Sequence, residues 1–192
     1  MNFQVLQGSA ILPYVAQVAE LRIEIFREFP YLYKGDMETE RGYFKSYSQC
    51  LNSLFVIARE NGKVVGALTG IPLADALDEC WTSHSDMAID RVYYWGDIVV
   101  QKQHRGKGLG KKLCELFEKA IKEMKSFEMI AFKEIIRAGN HPKRPKDYHS
   151  LDAFWQKRGY KKHPELTSSV SWKEIGSVEK VDHEMVFWLK TL

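Results

Sequence analysis

Residues 96–113, GDIVVQKQHRGKGLGKKL, carry the residue types best suited to chemistry in this 192-residue chain. Gly106, Gly108 and Gly110 stand at every second position among Lys102, Arg105, Lys107, Lys111 and Lys112. An apolar run leads in and an amphipathic pattern leads out, so the glycines lie in a turn from a strand to a helix. The unpaired N–H groups and dipole of a helix N-terminus favour an anion. Glycine lets the backbone approach a phosphate closely. Two phosphate motifs fail here. G-x-x-x-x-G-K-[ST] fails because Arg105 stands five residues before Gly110 and Lys112 follows Lys111. G-x-G-x-x-G fails because the third glycine comes one residue early and Gln101 to Arg105 separate the first glycine from the strand. Q-x-x-G-x-G remains, met by Gln103 to Gly108. A turn that only packs a helix on a sheet accounts poorly for three glycines among five basic residues.

The elements that must hold this turn follow from periodicity. Phe3 to Leu6 reads as a strand. Residues 11–29 have helical spacing, with Tyr14, Val15, Val18, Leu21, Ile25, Phe26 and Phe29 on one face and Pro30 as a stop. Asp36 is a candidate N-cap for a second helix that places Tyr43, Phe44, Tyr47 and Leu51 on one face. LFVIARENGKVVGALTGIP is a hairpin about Glu60-Asn61-Gly62. Residues 73–92 form a long, acidic loop that could cover an acceptor. VYYWGDIVV is a strand, 109–124 a helix, 129–136 a strand, and Leu151 to Arg158 a short helix ended by Gly159. Strands near 168–173 and 182–189 complete an α/β fold, a mixed sheet with helices on its faces.

Composition narrows the function classes. The chain is 45% hydrophobic and 28% charged, as expected of one globular domain over residues 1–192. A net charge of +3 suits an anionic ligand, and basic loop 141–147 has few interleaved aromatics, so nucleic acid is not expected as a partner. Three cysteines at Cys50, Cys80 and Cys114 fit a reducing compartment, and no signal peptide or membrane span is read, so a cytoplasmic protein is expected. The histidines, His84, His104 and His149 among them, lack ligand spacing, and no metal is expected.

The IVV strand, the QHRGKG turn and the following helix resemble the coenzyme A signature of the GCN5-related N-acetyltransferase (GNAT) superfamily. FWQKRGY, residues 154–160, resembles the family's aromatic-aromatic-x-K-x-G-aromatic segment, and the order of elements is similar along the whole chain. The resemblance implies a single domain with a mixed, mostly antiparallel central sheet flanked by helices and splayed at its central strands. It implies an acetyl-coenzyme A-dependent N-acetyltransferase in which a primary amine of a small molecule or peptide attacks the thioester directly. Ile98, Val99 and Val100 would pair with the pantetheine arm. Arg105, Gly106, Lys107, Gly108, Leu109, Gly110 and Lys111 would hold the phosphates. An N–H near Val99 or Val100 would stabilise the developing oxyanion.

The resemblance also implies candidate proton carriers. Asp97 stands where the family often has a carboxylate and is the candidate general base. Its alternative is a structural role, bonding a backbone group or an arginine, and alternation cannot fix its facing because a bulge would shift it. The family's usual tyrosine acid is replaced by Trp155, whose indole only donates. Trp155 is expected as a substrate contact. Tyr148, where the family commonly has asparagine, either supplies the proton to the leaving thiolate or walls the site. Glu28, Tyr31 and Tyr33 lie in the segment that often walls the acceptor pocket and could hold a cationic or aromatic amine. Their plainer reading is core aromatics beside a solvated charge. A rival function is an acyl-coenzyme A sensor that has lost catalysis. The terminal strands either complete the sheet or pair across a homodimer.

Overall fold

The computed structural model describes residues 1–76 and 88–192. Cys80, His84 and most of the expected 73–92 loop lie outside the described residues. Seven strands form one mixed sheet in the order β1-β2-β3-β4-β5-β7-β6. They are β1 (Asn2–Gln7), β2 (Leu54–Glu60), β3 (Lys63–Pro72), β4 (Val92–Val100), β5 (Met129–Ile135), β6 (Lys161–Lys173) and β7 (Lys180–Thr191). Every neighbouring pair is antiparallel except β4 and β5. The helices are α1 (Val15–Phe26), α2 (Met37–Gln49), α3 (Leu109–Met124) and α4 (Asp152–Lys157).

The central strands are buried on both faces, so they read as apolar runs. Phe55, Ile57, Ala67 and Tyr94 join Val18 and Leu21 of α1 and Phe44 and Tyr47 of α2 in one core. Val56, Leu68, Tyr93 and Trp95 join Leu113, Phe117 and Ile121 of α3 and Trp155 of α4 in the other.

Several boundaries differ from the expectation. The first helical segment is a 3-10 helix at Gly8–Tyr14 followed by α1, which stops at Phe26. Phe29 lies beyond it, before a cis bond to Pro30. Asp36 caps α2 by accepting from the Thr39 N–H at 2.9 Å. Leu51 falls past the end of α2 and is 82% exposed, so it does not share the buried face. The last two strands extend well beyond 168–173 and 182–189 because they form one long hairpin. The α3 bounds agree with the periodicity.

Candidate active site

The glycine turn lies at the C-terminal end of β4. A 3-10 turn at Lys102–His104 leads to Gly106 and Gly108, with φ of 73° and 81°. A Cβ at either would meet nothing within 4 Å, so left-handed backbone rather than space selects glycine. Gly108 is the N-cap of α3 and has no side-chain partner for the first-turn donors. Leu109 sends its side chain into the core, leaving only its backbone at the turn. Lys107 and Lys111 are exposed, and Lys111 lies 3.8 Å from Glu115. Arg105 donates from Nε to the Val100 carbonyl at 3.0 Å and from Nη1 to Glu28 at 2.7 Å. Arg105, itself a candidate phosphate residue, therefore joins Val100 at the end of β4 to Glu28, a candidate acceptor residue.

Beside this turn the sheet parts. β4 pairs with β5 only through Val92–Tyr94 against Met129–Ala131, although both strands continue. Asp97 and Gln101 direct their N–H groups toward β3, to Thr69 Oγ1 at 3.2 Å and the Val65 carbonyl at 3.0 Å. Strand alternation then sends the N–H groups of Ile98 and Val100 toward the gap, and that of Val99 toward β3. Of the three residues expected to meet an extended ligand arm, two present their backbone to the opening.

A bulge fixes the facing of Asp97. Thr69 pairs with Asp97 and Gly70 with Trp95, leaving Gly96 as an extra residue. Without the bulge, alternation from Tyr94 would turn Asp97 toward α3. With it, Asp97 faces α1 and α2. Arg22 Nε lies 2.8 Å from Asp97 Oδ2, and the Tyr43 hydroxyl donates to the same oxygen at 2.9 Å. Arg22 also donates through Nη1 to Glu40, whose other oxygen accepts from the Tyr33 hydroxyl at 2.9 Å. The guanidinium lies 4.0 Å from the centre of the Tyr43 ring. Tyr43 and Tyr47 hydroxyls are 3.1 Å apart. They press on the bulge: a Cβ at Gly96 would collide with Tyr47 Oη and lie 2.8 Å from Tyr43 Oη.

Charge in this cluster is strongly held. Burial opposes the Arg22 cation, but Asp97, then Tyr43 and Glu40, outweigh it and raise its pKa well above the ordinary value. Burial pushes Glu40 up from the usual carboxylate range against the pull of Arg22. Tyr33 is also raised, by burial first and then by Glu40.

The remaining candidates separate. Tyr31 packs on Phe26 at 4.5 Å and Trp172 at 6.1 Å, and burial, then Glu134 and Asp97, raise its phenol. Arg137 holds the carbonyls of Pro30 and Tyr31 at 2.8 and 3.2 Å and also binds Glu174. Tyr148 sits edge-on to Phe29 at 4.7 Å, under the guanidinium of Arg144. Burial raises its pKa, so it stays protonated at neutral pH. Trp155 does not join this group. It is 4% exposed and packs with Trp95, Phe132 and Tyr160 on the other face of the sheet. Tyr33 spends its hydroxyl on Glu40. Arg22, Glu40, Tyr43 and Tyr47 were not among the sequence candidates. Their signal was a charge on each buried stripe: Arg22 follows Val18 by four, and Glu40 precedes Phe44 by four. Among the described residues no group of three or more His, Cys, Asp or Glu could hold a metal ion, and no helix is long and apolar enough to cross a membrane.

Solved structures share this architecture. An acetyltransferase of the GNAT family from Staphylococcus aureus Mu50 superposes with a TM-score of 0.61 at 17% identity, covering 100% of this chain and 99% of its own. A ribosomal-protein-alanine N-acetyltransferase from Brucella melitensis gives 0.59 at 15% identity, with 98% and 99% covered. A GNAT-family acetyltransferase from Streptococcus pneumoniae gives 0.60 at 12% identity, with 100% of both covered. At such identities the likeness is one of fold. A search of curated proteins finds no match. The sequence model described as "Acetyltransferase (GNAT) family" matches residues 17–160, which include the cluster, the gap, the glycine turn and α4. By fold and by sequence, this chain belongs to the GNAT acetyltransferase family.

Proposed function

We propose that the chain, as one catalytic domain over residues 1–192, transfers an acetyl group from acetyl-coenzyme A to a primary amine of a small molecule or peptide. The observation that carries this reading is the opening between β4 and β5, with an uncapped helix N-terminus at one end and a buried carboxylate beside it. The residues present fit the co-substrate. Ile98 and Val100 offer backbone groups to an extended arm, as an added strand would use them. The backbone from Gly106 to Lys111 offers donors to the phosphates, and Arg105, Lys107 and Lys111 add charge. When bound, the co-substrate supplies an acetyl thioester open to direct attack by an amine.

This chain's residues then have three tasks. Asp97 takes the proton from the acceptor nitrogen as general base. The Val100 N–H, on the gap side, donates to the acyl oxygen as negative charge develops there. Tyr148, which keeps its proton at neutral pH, serves the departing sulfur. Tyr31 and Glu28 border the acceptor side.

Thiol release from acetyl-coenzyme A across aminoglycosides, polyamines, amino acids and short peptides tests the reading. Release that depends on one class of amine is expected. Binding of acetyl-coenzyme A without release for any amine would favour an acyl-coenzyme A sensor instead. Asp97→Asn should lower kcat by roughly 10²–10⁴-fold with little change in coenzyme binding. Unchanged turnover across pH would remove Asp97 from the base role.

A further inference from the structure

Glu40 has 0% exposure and sits in α2, yet a well-packed apolar residue in such a place is commonly as stabilising as a buried ion pair. Stability alone therefore gives weak grounds for its presence. Its geometry gives better ones. Glu40 and Asp97 share one guanidinium, with Arg22 Nη1 on the first and Nε on the second. The Tyr33 hydroxyl fixes the far oxygen of Glu40, and the Tyr43 ring fixes the plane of the guanidinium. The contacts run unbroken from the loop after α1, through α2 and α1, to the bulge of β4.

We infer that Arg22 and Glu40 are positioning residues that together set the orientation and proton affinity of Asp97. The inference rests on the reading of Asp97 as general base. A carboxylate alone with a guanidinium gives up its affinity for protons. A carboxylate facing another without the guanidinium gains affinity and loses its fixed orientation. Sharing Arg22 between two carboxylates sets Asp97 between these limits and fixes its orientation. Among the described residues, the titratable and charged groups facing Asp97 are Arg22 from α1, Glu40, Tyr43 and Tyr47 from α2, and Tyr31 from the connecting loop. Further along the sheet, the Lys133 ammonium of β5 lies 5.7 Å from the ring centre of Tyr94 in β4.

The test reads Asp97 directly. Full-length protein labelled with 13C at the aspartate and glutamate carboxyls is titrated by NMR, and Asp97→Asn identifies the resonance. Glu40→Gln keeps the shape of the site and removes one negative charge, so the Asp97 midpoint should move to lower pH. Arg22→Lys removes the shared fork, so the midpoint should move to higher pH. Opposite shifts are the expected result. A midpoint that stays in place in both variants, or moves the same way in both, overturns the inference. If Glu40→Gln fails to fold, the shift in Arg22→Lys decides. The pH profile of thiol release with the most active amine of the panel supplies the link to turnover. Its acid limb should follow the two midpoints, and the Glu40→Gln plateau should fall about tenfold through the weaker base. An acid limb that survives Asp97→Asn would reject the base reading itself. A limb that vanishes there but ignores Glu40 and Arg22 would reject only the positioning role.

Discussion

The glycine turn and the Arg22 cluster flank the same strand and are built by opposite rules. The turn comes from one contiguous stretch, presents backbone donors at the N-terminus of α3 and faces water. Its arginine pair to a distant segment, Arg105 with Glu28, has side chains 39% and 43% exposed. The cluster draws on the loop before α2, both N-terminal helices and β4, and its charged side chains are 12%, 0% and 10% exposed. A site for a large ligand that arrives and leaves needs donors that water can serve meanwhile. A carboxylate proposed to take one proton at one place is best served by partners that do not exchange with water. The same strand end thus carries an adaptable side and a fixed side.

Substitutions should separate the two sides, first in stability. Arg22→Met leaves two carboxylates buried without their cation and should destabilise by about 3–5 kcal/mol, read as a lower urea midpoint. Gly96→Ala pushes a Cβ against Tyr47 and Tyr43 and should cost about 1–3 kcal/mol, with a fall in kcat as Asp97 shifts. On the other side, Gly108→Ala meets no atom and costs about 1 kcal/mol through its left-handed backbone. Its main effect should be a rise in KM for acetyl-coenzyme A with kcat little changed. Glu28→Gln frees Arg105 from a largely exposed pair and should alter stability by less than about 1 kcal/mol. A modest fall in KM for acetyl-coenzyme A is expected there. A large loss of stability in Gly108→Ala, or none in Arg22→Met, would erase the distinction between the two sides.

The same division explains what could be read from sequence. The turn was legible because its chemistry is local: three glycines, the bases and the helix stripe from Leu109 to Met124 follow one another. The hairpin at Asn61-Gly62 was legible for the same reason, and both residues adopt positive φ. The partners of Asp97 were not legible, because they lie 54 and 75 residues away and only the fold brings them together. Its facing depended on one unpaired glycine in β4, which leaves no trace in the alternation of VYYWGDIVV. The packing of Trp155 was not legible for a related reason. Its position in FWQKRGY spoke for the site, while its size and the aromatic neighbours supplied by β4 and β5 committed it to the core.

The short union of β4 with β5 has a mechanical meaning. β1–β4 and β5–β7 are two slabs joined edge to edge by a seam from Val92 to Tyr94, whereas the other seams run nearly the full length of their strands. A ligand bound in the opening, as proposed, would act as a splint beside that seam. Without it the slabs share little hydrogen bonding, and heat should loosen them at a common weak line. With it they should melt together and later, by an increment that grows with the logarithm of ligand concentration. The amides of Ile98 and Val100 would report the splint first, through slowed hydrogen exchange.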